Sequence, residues 1–101
     1  MKNKALFIKT IKSDCAIRSR YINADGETCA IGALALAAGC TEAQLRKAGD
    51  KRIGHLCAIP LAIRKKFDLD LEDMSRIQTE NDWNDTSAAR RSAILEYIKT
   101  L

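Results

Sequence analysis

Cys29, His55 and the polar run Asn81-Asp82-Trp83-Asn84-Asp85 follow one another in the order nucleophile, base and orienting group. Cysteine hydrolases use such a set. The thiolate attacks a carbonyl, a histidine moves the proton, and an amide or carboxylate holds the imidazole. The sequence also puts Cys29 at the start of a helix, where aligned peptide dipoles lower a thiol's pKa. Against this stand the apolar neighbours Ala30-Ile31-Gly32-Ala33-Leu34, because burial raises a thiol's pKa. His55, next to Gly54 in a basic stretch, reads as a solvated loop residue. Cys29 is therefore read first as a core thiol. Cys29 and His55 are the pair that a cysteine-dependent hydrolase would use.

Metal chemistry finds less support. Cys15, Cys29, Cys40 and Cys57 stand singly with no C-x-x-C pair, whereas structural zinc sites show close-spaced ligands. Asp82, Asn84 and Asp85 offer oxygen ligands but lack the twelve-residue calcium loop with its glycine and terminal glutamate. They read as helix caps. No metal and no cofactor is expected.

Residues 63–78 have the layout of a helix-turn-helix, with Ile63, Phe67, Leu69, Met74 and Ile77 at its apolar positions. Arg64 and Asp68 replace the small residue and the glycine that such a crossing uses. Asp70, Glu72 and Asp73 would point toward phosphates from the second helix and oppose binding. Ser75, Arg76, Gln78 and Thr79 are the side chains that would reach bases.

Charge is banded along the chain. Residues 1–20 carry six basic and one acidic side chain, residues 51–67 five and none, and residues 68–85 one basic and seven acidic. Banding of this kind suits a protein partner with a complementary surface as well as nucleic acid. Arg64, Lys65, Lys66, Arg90 and Arg91 are the expected contact residues. Trp83 either folds back onto the core or joins them as an exposed anchor.

These residues need elements to position them. The apolar run Cys29–Gly39 reads as a short helix that is apolar on every face and so surrounded by the rest of the chain. Thr28 is expected to cap it and Gly39 to end it. Gly32 marks a place for the close approach of another helix. Lys4–Ser13 shows apolar residues at helical spacing, and residues 16–22 are compatible with a short extended arm. Thr41-Glu42-Ala43-Gln44 is a capping box that opens a further helix. Pro60 fits the first turn of the next, Asp70 caps another, and Thr86 or Ser87 the last. Leu71, Met74 and Ile77 are expected to face inward. The fold class is all-α: about five short helices around residues 29–38, in one domain spanning 1–101. With no signal peptide and no long apolar segment, the expected location is the cytoplasm.

Asp25-Gly26 followed by Cys29-Ala30-Ile31-Gly32-Ala33-Leu34, with a later Asn-Asp pair before the terminal helix, resembles a set of small uncharacterised phage and bacterial proteins. In that set a turn precedes a C-x-x-G-A-L helix and a short Asn-Asp segment opens the last helix. Asn81-Asp82 or Asn84-Asp85 is the equivalent pair, and the likeness spans about residues 20–98. Thr28 stands where the set has an aromatic residue. The set has no established activity, and the resemblance implies a phage or mobile-element setting. Proteins of that setting often block a host machine, anti-CRISPR proteins among them. The leading expectation is thus a non-enzymatic binder of a host protein or ribonucleoprotein complex. A nucleic-acid-binding regulator is the second reading and the hydrolase the third; no membrane partner is expected.

Overall fold

The computed structural model describes residues 1–18, 20–48 and 58–101. Among these, six helices form and no strand: α1 (Lys4–Ser13), α2 (Ala30–Ala37), α3 (Glu42–Ala48), α4 (Ala58–Phe67), α5 (Leu71–Trp83) and α6 (Ser87–Ile98). The architecture is all-α, with one helix more than the five expected. His55, Cys57, Lys51 and Arg52 lie outside the described residues.

Helix α2 is the centre. Ala30, Ile31, Gly32, Ala33, Leu34 and Ala35 are buried in succession, so no face of its first turns meets water. Helices α1, α4 and α5 pack on it, and α6 lies against α5 and α1. Leu36 then emerges at 36% exposure, and Gly39 (φ 103°) ends the turn in the left-handed region. The facing stripes are short. Phe7 and Ile11 come from α1, Ile59, Ile63 and Phe67 from α4, Met74 and Ile77 from α5, and Ile94 and Ile98 from α6. Phe7 meets Phe67 edge to face, with ring centroids 5.7 Å apart.

The caps follow local chemistry. Thr41 and Gln44 exchange side-chain and backbone hydrogen bonds ahead of α3. Asp70 and Asp73 do the same at α5, and the Thr86 hydroxyl accepts from Ala89 N–H at α6. Helix α2 departs from expectation. Its cap is Cys29, whose sulfur accepts from Gly32 N–H at 3.4 Å, while Thr28 pairs with Ile22 in an isolated antiparallel bridge. Leu71 is also displaced: it is 42% exposed, and Leu69 is the buried neighbour. Helix α5 continues through Asn81 and Asp82 to Trp83.

Where an extended arm was expected at 16–22, Arg18, Arg20 and Tyr21 lie in bends, and the Ile22–Thr28 bridge is a sheet-like contact. The arm approaches α2 where Gly32 lies. A Cβ on Gly32 would sit 2.1 Å from the Tyr21 carbonyl oxygen, so a backbone segment fills the space expected for another helix. That carbonyl also accepts from Cys29 N–H. Alanine here would gain about 1 kcal/mol of helix propensity. The clash is with backbone and outweighs that gain. Gly32→Ala is expected to destabilise the fold by roughly 2 kcal/mol or more in urea titration, whereas Gly39, with nothing near its Cβ position, loses only through its positive φ.

Candidate functional site

Asn81 and Arg90 are polar side chains at core positions of their helices. Asn81 follows Met74 and Ile77 on the buried stripe of α5 and is itself fully buried. Its Oδ1 accepts from Ala30 N–H at 3.0 Å, which satisfies a first-turn donor of α2 that has no helical partner. Its Nδ2 donates to the Ile17 carbonyl and to Asp82 Oδ1. Asn81 therefore ties together the arm, the central helix and α5. Of the two Asn-Asp pairs in the sequence, Asn81-Asp82 is the one that meets the C-x-x-G-A-L helix.

Arg90 is the second. It lies four residues before Ile94 and eight before Ile98 and is only 5% exposed. Its guanidinium donates to four carbonyls: Cys15 and Ala16 at 3.1 Å each, Asn84 at 2.9 Å and Asp85 at 3.2 Å. Arg91, half-buried, donates from Nε to the Asp14 carbonyl at 2.8 Å. The chain leaves α1 here with Cys15 in the left-handed region (φ 72°), and three successive carbonyls turn toward the arginines. An irregular buried segment has no ladder to bond its carbonyls, so side-chain donors must do it. Arg90 is thus corrected from an expected surface contact to an internal strut. Arg91 is partly used in the same way.

Cys29 is also an interior residue. Its thiol is fully buried, and burial pushes its pKa up to about 11, overriding the backbone donors of the helix start. Cys29 is thus the core thiol expected from its apolar neighbours, with burial outweighing the helix dipole. Cys15 is buried too, and burial pushes it up to about 12. His55 lies outside the described residues. Among the described residues, no group of His, Cys, Asp and Glu could hold a metal ion.

The remaining expected contacts do not form one patch. Arg64, Lys65 and Lys66 occupy the last turn of α4 and are exposed. Trp83 is 83% exposed at the far end of α5, whose length is about 20 Å. What the sequence did not show is the partner of the α4 turn. Lys2 N–H donates to the Phe67 carbonyl and Asn3 Nδ2 to the Lys66 carbonyl, each at 2.7 Å. The start of α1 is therefore fastened to the end of α4. Lys2 and Lys4 join Arg64, Lys65 and Lys66 in one basic end of the molecule. Among the described residues, none of these five side chains meets a carboxylate.

The acidic α5 is arranged differently. Glu80 pairs with Arg76 at 2.9 Å and Asp85 with Arg18 at 2.9 Å. Asp73 closes the capping box and accepts from the Tyr97 hydroxyl. Arg76 also lies over the Tyr97 ring. Between Phe67 and Asp70 the connection passes through Asp68 at φ 55°, a left-handed turn made without glycine. The outward side of α5 carries Glu72, Ser75, Arg76 and Thr79.

No protein-family model matches the chain, and neither do curated proteins or solved structures.

Arg90→Lys is expected to cost roughly 3 kcal/mol in denaturant titration, because lysine cannot serve four divergent carbonyls and leaves buried acceptors open. Cys15 and Cys29 are expected to resist alkylation of the native protein at neutral pH and to react once it is unfolded. Their stability linkage has a defined sign. Both thiols are protonated in either state below their ordinary value near 9; above it the unfolded chain ionises first. Stability should therefore fall as pH rises from about 9 through about 11 to 12, and this loss should shrink in Cys15→Ala.

Proposed function

We propose that the chain is a small non-enzymatic binding protein of phage or mobile-element origin that inhibits or modulates a host protein or ribonucleoprotein complex by covering part of its surface. One observation carries the binding reading. The bonds from Lys2 and Asn3 bring the start of α1, with Lys2 and Lys4, to the last turn of α4, with Arg64, Lys65 and Lys66, and among the described residues none of these five cations forms an ion pair. Surface cations left unpaired and grouped steer association with an anionic partner and oppose self-association. The origin, and an anti-CRISPR-like role against antiviral defence with it, rest on the resemblance carried by Asp25-Gly26, residues 29–34 and a later Asn-Asp pair, Asn81-Asp82 or Asn84-Asp85. Cytoplasmic action belongs to the same reading. No helix among the described residues is long and apolar enough to cross a membrane.

The two other readings draw less from the geometry. A hydrolase would need Cys29 to ionise and meet substrate, and its thiol is buried with its pKa raised. A DNA reader would use α5, where Glu72 lies outward and Arg76 is already paired.

The tagged protein is expected to retain a defined protein or ribonucleoprotein complex from host extract. The exposed triple variant R64E/K65E/K66E should fold normally and retain about tenfold less. Equal retention by the variant would reject the basic end as the working surface. Tight binding to a bare duplex with a steep loss in salt would favour the regulator instead.

A further inference from the structure

Beside the basic end lies an apolar feature that charge alone does not explain. Ala38, just past α2, and Leu61, Ala62, Lys65 and Lys66 of α4 line a shallow groove of about 390 Å³. Leu61 is 51% exposed. Leu61 and Ala62 stand one helical turn before Lys65 and Lys66, so α4 presents an apolar step followed by a cationic one along a single face. A bare phosphate backbone would satisfy the lysines and leave Leu61 in water. A segment that carries apolar side chains at helical spacing, with carboxylates one turn away, would satisfy both.

We propose that this groove is the docking site for an acidic amphipathic helix of a protein partner. Its apolar stripe covers Leu61, Ala62 and Ala38, and its Asp or Glu side chains meet Lys65, Lys66 and Arg64. The proposal rests on the binding reading above and names the class of partner for that end. Helix-in-groove recognition works this way, with apolar anchors for affinity and flanking charge for register.

The test uses the full chain and three probes. One is a synthetic helical peptide with leucines at i, i+3, i+4 and i+7 and glutamates alongside. The second has serine for every leucine at the same charge, and the third is a short DNA duplex. The leucine peptide is expected to bind about tenfold tighter than the serine peptide and the duplex. Leu61→Ser, at an exposed position, should remove that difference, while K65E/K66E should weaken both peptides. Equal binding of the two peptides, no binding of either, tighter binding of the duplex, or an unchanged L61S variant would overturn the groove. Loss of extract capture in R64E/K65E/K66E, alongside any of those results, would leave the basic end standing and remove only the apolar docking site.

Discussion

The structure depends on how one irregular, partly buried stretch of backbone satisfies its polar groups. The chain between α1 and α2 is irregular where it is described, and it buries Cys15, Tyr21, Ile22, Thr28 and Cys29. Unpaired backbone carbonyls in such a place cost as much as lost hydrogen bonds. Arg90 and Arg91 donate to the carbonyls of Asp14, Cys15 and Ala16, and Asn81 donates to that of Ile17. Thr28 accepts from Ala16, and Gly32 leaves room for the Tyr21 carbonyl. The stretch leads directly into the central helix, whose first-turn donors are met by side chains. The helix's first N–H bonds Asn81, and its third is capped by Cys29.

That internal use of polar groups shapes the surface. The arginines of α6 are drawn inward, and Asp73, Glu80 and Asp85 are engaged by Tyr97, Arg76 and Arg18. Among the described residues Lys2, Lys4, Arg64, Lys65 and Lys66 form no ion pair, and the bonds from Lys2 and Asn3 fasten the start of α1 to the end of α4. The proposed binding role follows from this division between charges spent on the fold and charges left outside it. Trp83 stands apart from that end, beyond the reach of the same contact.

Much of the fold was legible. The apolar run at 29–38, the capping signals at Thr41, Asp70 and Thr86, and the first-turn proline of α4 each have a local physical meaning, and each element appears where it was expected. Arg90 and Asn81 were missed for one reason: side-chain type was given more weight than stripe position. Arg90 is a cation, but it is spaced four and eight residues from Ile94 and Ile98. Asn81 is polar, but it continues the line of Met74 and Ile77. Periodicity alone would have marked both as interior. The joining of Lys2 and Lys4 to the α4 turn could not be read, since it depends on hydrogen bonds between residues more than sixty positions apart.

The clamp on residues 14–17 also sets an order of assembly. Its donors come from Asn81, Arg90 and Arg91, separated from their carbonyl partners by 64 to 77 positions. Closing loops of that length carries an entropy cost that only late contacts repay. During synthesis the first half of the chain can form α1 and α2 locally but cannot fix the path between them. The native core becomes complete only when α5 and α6 have left the ribosome, so a chain stalled before then holds an unfinished interior.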